Sequence, residues 1–317
     1  MSLAFVFPGQ GSQAPGMGRD LAEAFPVARE TFEEVDDALK QKLSRLMFEG
    51  PAEELTLTAN AQPALMAVSV AVARVLAKEG GFDLSRQVSL VAGHSLGEYS
   101  ALTAAGTFDL ATAARLLRLR GDSMQKAVPA GEGAMAALLG AEAEQARAVC
   151  ADAAEGPEGR EVVEVANDNG GGQVVVSGGR AAVERAIEKA KEAGIKRAML
   201  LPVSAPFHCS LMEPAARAME EALAKATMQV PAVPVVANVT AAPVSDVATI
   251  RDLLVKQVTG TVRWRECVAA MAAAGCTRFV EIGAGKVLTG LMKRNAPEAA
   301  AMTVGTPAEV EAFLKSL

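Results

Sequence analysis

Val88-Ser89-Leu90-Val91-Ala92-Gly93-His94-Ser95-Leu96-Gly97-Glu98-Tyr99 is the stretch on which the fold turns. Its first five residues form a short apolar run of the kind buried in a strand, and Leu96 to Ala105 carries a helical pattern. Between them, Gly93-His94-Ser95-Leu96-Gly97 has the G-x-S-x-G spacing of a strand–turn–helix elbow that exposes a serine. The glycines let the backbone bend sharply and let a substrate come close. Ser95 then stands beside a helix N-terminus, whose free N–H groups can stabilise an oxyanion. The spacing also occurs in ordinary turns. Its position between strand and helix is what points to a serine nucleophile.

A serine nucleophile needs a base, and imidazole is the usual one near neutral pH. The chain has two histidines. His94 lies inside the elbow, where its side chain should diverge from that of Ser95. His208, in Val203-Ser204-Ala205-Pro206-Phe207-His208-Cys209, is therefore the candidate base, against the alternative of a buried, hydrogen-bonded histidine. Cys209 is a neighbour in the chain, and adjacent side chains rarely face each other, so packing is its expected role.

Outward from these residues, strand-like and helical segments alternate. A strand at Leu3–Phe7 ends in the turn-rich Pro8-Gly9-Gln10-Gly11-Ser12-Gln13, and helical patterns follow at Asp20–Ala38, Pro63–Glu79 and Leu110–Met124. Strands alternating with helices imply a mainly parallel sheet covered on both faces. The middle of the chain reads β-α-β-β-α-β: Gly133–Gly140, Ala141–Ala153, Glu161–Ala166, Gln173–Ser177, Ala181–Ala193 and Arg197–Pro202. The expected fold is α/β. An α/β-hydrolase-like large subdomain (1–127 and 202–317) receives an inserted ferredoxin-like small subdomain (128–201). A ligand cleft is expected between the two.

Of the 317 residues, 50% are apolar and only 4% aromatic, ample for a core of Ala, Val, Leu and Met. Charge is 31 basic against 37 acidic, which argues against nucleic acid as a partner. Cys150, Cys209, Cys267 and Cys276 show no C-x-x-C spacing, as expected of reduced thiols in a cytoplasmic protein. No run approaches the roughly 18 apolar residues of a membrane span, and the N-terminal apolar run is too short for export. Three segments mimic ligand loops. Gly283-Ala284-Gly285-Lys286 lacks the first glycine and the Ser/Thr of a phosphate loop, so it reads as a strand–helix turn. Gly9-Gln10-Gly11 lacks the third glycine of a dinucleotide fingerprint. Asn167-Asp168-Asn169-Gly170 lacks the glutamate of a calcium loop and reads as a plain loop, and no cluster has metal-ligand spacing.

Five separated segments together resemble the malonyl-CoA:acyl carrier protein transacylase family. They are Phe5–Gln13, the elbow Gly93–Tyr99, Arg118-Leu119-Arg120-Gly121, Pro206-Phe207-His208 and Gly283–Leu288, in order from about residue 3 to residue 293. The resemblance implies malonyl transfer from malonyl-CoA, through an acyl-serine, to the phosphopantetheine thiol of acyl carrier protein in fatty-acid biosynthesis. It implies no cofactor and no metal. Ser95 would be the nucleophile and His208 the base, with the backbone N–H groups of Gln10 and Leu96 as oxyanion hole. The histidine would be oriented by a main-chain carbonyl near Gln257 rather than by an acid. Arg120 would grip the malonyl carboxylate with two parallel hydrogen bonds. Read by itself, Arg120 is more readily one of several solvated arginines, with Arg115 and Arg118 nearby. Phe207 resembles the malonyl-selective form, and Gln62, Gln173 and Arg197 match positions that touch CoA or pantetheine.

The protein is expected to be a cytoplasmic monomer. Its carrier partner would be acidic, so a basic docking face is expected among Arg180, Arg185, Lys189, Lys191, Lys196 and Arg197. Two rival readings stay open from the sequence. A serine hydrolase would need an acid, and Asp109, Asp122 and Asp168 all lie between Ser95 and His208. A binding module would make Ser95 and His208 incidental.

Overall fold

A computed structural model describes residues 2–157 and 159–317. The strands of its two main sheets are, in chain order, β1 (Ser2–Phe7), β2 (Leu90–Gly93), β3 (Gly133–Leu139), β4 (Val163–Gly170), β5 (Gln173–Gly179), β6 (Arg197–Leu200), β7 (Val235–Val236), β8 (Pro243–Val244), β9 (Cys276–Ile282) and β10 (Ala300–Val304). The larger sheet runs β8-β7-β2-β1-β9-β10, all parallel except β8. Its strands read as apolar runs because both faces are covered. Phe5, Phe7 and Val91 pack into one core; Ala4, Val6, Leu90 and Ala92 pack on the other side with Trp264. The smaller sheet is antiparallel, in the order β4-β5-β3-β6, with a core of its own. The fold is α/β, and the β-α-β-β-α-β order gives this second sheet its ferredoxin-like strand arrangement.

The helices that matter here are α1 (Thr58–Gly80), α2 (Gly97–Ala104), α3 (Leu110–Lys126), α4 (Ala143–Ala153), α5 (Arg180–Glu192), α6 (Val247–Thr259), α7 (Trp264–Ala273) and α8 (Val287–Asn295). α1 is long and apolar enough to cross a bilayer, but 83% of its apolar window is buried in the protein core. Parallel register brings the loops after β1, β2, β7 and β9 to one edge. Phe7 pairs with Gly93 and Ala92 with Val236, so Gln10, Ser95 and Asn238 all follow strand ends at the same level. Such carboxyl-end loops are where open α/β sheets build their sites.

Three expectations need correction. The single helix expected over Asp20–Ala38 is two, Arg19–Ala24 and Pro26–Leu39. Pro26 has no N–H to donate, and its ring holds Phe25 extended (φ −129°, ψ 117°). The helix expected to start at Pro63 starts at Thr58, because packing of its first turn against α3 overrides the proline. The expected loop Asn167–Gly170 is the end of β4, bulged but paired with β5. Asp168 is taken by Arg265 at 2.8 Å, and its backbone N–H by the Val262 carbonyl at 3.0 Å. These contacts outweigh the turn preference of Asn and Asp and fasten the small sheet to the large one.

The turn Gly283–Lys286 joins β9 to α8 as expected. It is no phosphate cradle: Glu281 already accepts the Leu288 and Thr289 N–H groups at the helix N-terminus, at 3.1 and 2.7 Å.

Candidate active site

The elbow is closed by contacts that only glycine allows. A Cβ on Gly93 would lie 1.8 Å from the Gly97 carbonyl carbon, and one on Gly97 would lie 2.3 Å from the Phe7 oxygen. Ser95 between them takes a left-handed backbone, φ 53°, at a cost of about 1–2 kcal/mol for an L-residue with a side chain. The strain is held from both sides. The Ser95 N–H donates to Asn238 Oδ1 at 2.8 Å, and its carbonyl accepts from Gln257 Nε2 at 3.0 Å. Among the described residues, the backbone N–H groups of Gln10 and Leu96 donate to no protein acceptor. The Gln10 loop runs against the elbow; a Cβ on Gly9 would meet the His94 carbonyl oxygen at 2.7 Å. His94 itself turns away, its Nε2 2.8 Å from Asn169 Oδ1 and its ring beside Trp264.

His208 also has a left-handed backbone, φ 57°. Its Nε2 lies 2.7 Å from Ser95 Oγ, and its Nδ1 lies 2.9 Å from the Gln257 main-chain oxygen. A carbonyl only accepts, so Nδ1 carries the proton and Nε2 turns a lone pair to the serine hydroxyl, which donates. Burial first, and then the charge of Arg120, push His208 down to about 3, so the ring stays neutral across physiological pH. The three aspartates that a hydrolase reading offered are elsewhere. Asp109 caps α3 through the Thr112 N–H, Asp168 pairs with Arg265, and Asp122 is half-buried on α3. Cys209 is not a nucleophile candidate: burial pushes its thiol up to about 11.

Arg120, on α3, is 1% exposed. Nη1 donates to Gln62 Oε1 at 2.7 Å; Nη2 donates to Gln257 Oε1 at 2.9 Å and to Ser95 Oγ at 3.2 Å. Nε–H has no partner among the described residues, and the guanidinium stands 5.8 Å from the centre of the Tyr99 ring. A buried cation held only by neutral groups is costly, and an incoming anion would offset that cost. Gly121 makes the placement possible, because a Cβ there would lie 2.6 Å from Ala59 Cα in α1. Arg118 faces away instead, donating to Asn60 at 2.9 Å and to Gln41.

A cavity of about 460 Å³ opens over Ser95 and His208, between the two sheets. Gln10, Gln62, Arg120, Gln173 and Phe207 line it, whereas Arg197 stands exposed on β6, outside the lining. The basic residues of α5 are largely neutralised. Lys189 pairs with Glu192, Lys191 with Glu188, Arg180 with Glu184 and Arg185 with Glu161. Two site residues escaped the sequence reading. Asn238 carries no motif. Glu98 lies in the quoted elbow stretch but gives no sign there of being buried; burial pushes its carboxyl up to about 7.

On this fold such a site belongs to the acyltransferases, enzymes that carry an acyl group from one carrier to another. Residues 4–309 match the acyl transferase domain family. Malonyl CoA-acyl carrier protein transacylase of Escherichia coli K12 is 48% identical over 313 residues, covering 99% of both chains. The Bacillus subtilis 168 protein of that name is 47% identical over 99% of this chain and 97% of its own. The acyl-carrier-protein-S-malonyltransferase of Bartonella henselae superposes with a TM-score of 0.96 at 57% identity, over 100% of this chain and 99% of that one. A malonyl-transacylase solved in complex with its type II PKS acyl-carrier protein gives 0.95 at 45% identity, over 100% of both. The chain belongs to the malonyl-CoA:acyl carrier protein transacylase family.

Proposed function

We propose that this enzyme moves the malonyl group of malonyl-CoA onto the phosphopantetheine thiol of acyl carrier protein, through a malonyl ester of Ser95, in fatty-acid biosynthesis. Ser95 Oγ attacks the thioester carbonyl while His208 Nε2 takes its proton. The Gln10 and Leu96 N–H groups, which have no acceptor among the described residues, receive the oxyanion. Collapse expels the CoA sulfur, which leaves with the proton from His208. The carrier's thiol then gives its proton to His208 and attacks the ester carbonyl. Collapse returns Ser95 and its proton. No cofactor enters either half. His208 needs no carboxylate to choose its tautomer, since the Gln257 carbonyl does that.

One observation carries the choice of substrate: a buried guanidinium, with no carboxylate partner among the described residues, lies 3.2 Å from the nucleophilic oxygen. Its unpartnered Nε–H and the neighbouring Nη2 form the edge that suits a carboxylate's two oxygens. A neutral acetyl group would leave that charge unanswered. Phe207 at the cavity wall limits room for an α-methyl group, a bias of about 1–3 kcal/mol per extra methylene. The buried cysteines form no disulfide among the described residues, as suits a cytoplasmic enzyme.

Brief incubation with malonyl-CoA, followed by intact-mass and peptide mapping, tests the reading. One malonyl group on the Ser95 peptide, discharged when carrier protein is added, is the expected result. An unmodified chain, or an adduct that water discharges as fast as carrier, would refute it.

A further inference from the structure

Glu98 stands on α2, one turn past the nucleophile, and is 2% exposed. The mechanism above does not use it. Its Oε2 accepts from the Asn238 backbone N–H at 3.0 Å and from Gln257 Nε2 at 2.9 Å. Those two residues hold the rest of the site. Asn238 Oδ1 takes the Ser95 N–H, and its Nδ2 donates to the Gly93 carbonyl at 2.7 Å. Gln257 bonds the Ser95 carbonyl with Nε2, Arg120 with Oε1, and His208 with its main-chain oxygen. Nucleophile, base and guanidinium are thus tied through one glutamine.

A glutamine side chain is ambiguous, because its two ends are nearly the same shape and carry opposite hydrogen-bonding roles. Which end faces Arg120 has to be set by something that cannot swap. A carboxylate only accepts and a guanidinium only donates, so Glu98 at one end and Arg120 at the other leave Gln257 a single orientation. Glu98 also supplies, across that amide, the negative charge that Arg120 lacks in direct contact among the described residues.

We propose that Glu98, as a carboxylate beneath the elbow, is a positioning residue for acyl transfer that fixes Gln257 and through it Ser95, His208 and Arg120. This rests on the malonyl-transfer reading above. The charged or titratable groups facing Glu98 are Arg120 from α3, Tyr99 on its own helix and Cys267 from α7; Asn238 and Gln257 contribute none. Its elevated carboxyl titrates about neutrality, whereas His208 stays neutral far below that. A neutral acid accepts more weakly than an anion and frees Gln257 to turn. A fall in rate as the solution is acidified through about pH 7 therefore belongs to Glu98 rather than to the base.

The test is the single-turnover rate of Ser95 malonylation, followed by mass across neutral pH, in the whole protein and in Glu98→Gln. The unsubstituted enzyme should slow as pH falls through about 7. Glu98→Gln, able to present an amide N–H where the carboxylate was, should be slower by about tenfold or more and lose that limb. A purely structural role for Glu98 would lower the rate and leave the limb. Equal rates, or a limb that survives the substitution, would overturn the proposal; failure of the unsubstituted enzyme to form any adduct would overturn the malonyl reading instead. Circular dichroism checks the fold. Should Glu98→Gln not fold, Gln257→Met decides: it keeps the main-chain carbonyl for His208 and cuts the bridge to Arg120. It should lower the malonyl-over-acetyl ratio by about tenfold or more, and an unchanged ratio would overturn the proposal.

Discussion

Ser95 and His208 lie 113 positions apart, both adopt a left-handed backbone, and their side chains meet at 2.7 Å. Strain of this kind persists only where the surroundings over-determine it, and both residues here are held by their neighbours. Ser95 is held by Asn238 and Gln257, and His208 by the Gln257 carbonyl.

Replacing the nucleophile should separate function from stability. Ser95→Ala and Ser95→Gly should both abolish malonyl transfer and the mass adduct. With no Cβ to strain, Ser95→Gly should be the more stable of the two by about 1 kcal/mol in denaturant unfolding. Equal stabilities would mean that the left-handed turn stores no strain.

Arg120→Lys keeps a positive charge but loses the planar edge. The kcat/KM for malonyl-CoA should drop by roughly a hundredfold, near 3 kcal/mol, while acetyl transfer changes much less. The readout is the malonyl-to-acetyl ratio. A ratio unmoved by the substitution would remove Arg120 from carboxylate recognition.

The burial of His208 has a signed effect on stability. Its folded value is depressed from 6.5 to about 3, so on acidification the unfolded chain takes up a proton that the folded one refuses. Stability is therefore lost as pH falls from about 6.5 towards about 3, at up to ~1.4 kcal/mol per pH unit. Glu98 acts oppositely: raised from 4.5 to about 7, it stabilises at low pH and that contribution fades as pH rises through neutrality. The His208 effect is isolated by difference, because Glu98 is present in each protein and cancels when His208→Asn is compared with the unsubstituted chain. Asparagine tolerates the left-handed backbone. Unfolding free energies that differ by a constant amount across that range would contradict the assignment.

Gly121→Ala should act at a distance from the chemistry. Its methyl would enter the space of Ala59 Cα at 2.6 Å and Thr58 O at 2.7 Å, all backbone, so α1 and α3 must separate. A loss of about 1–3 kcal/mol in stability is expected. The Gln62–Arg120 bond spans those two helices, so malonyl selectivity should weaken along with it. Full stability with unchanged selectivity would show that the helix approach is not needed.

The legible parts of the site were local. The elbow announces itself because its glycines are neighbours in the chain as well as in space. His208 was reachable because there are so few histidines. Arg120 carried a fainter signal: it falls on the same helical stripe as Ala113, Leu117 and Met124, all buried, whereas Arg118 points elsewhere. Asn167–Asn169 misled, since short-range turn chemistry was outweighed by pairing with β5 and by Arg265. The strand Ala300–Val304 lacks any alternation of polar and apolar residues, and its place beside β9 is what makes it a strand.

By itself, the sequence determined the alternation of strands and helices, the serine on its turn and the one imidazole able to serve it, because these depend on neighbours within a few residues. Only the tertiary structure decided that a carbonyl rather than an acid faces His208, that Arg120 is the buried arginine, and that Glu98 and Asn238 belong to the site at all. Asn238 reaches Ser95 across 143 positions because β7 lies in register beside β2. That adjacency comes from the order of the strands in the sheet, and no local pattern in the chain encodes it.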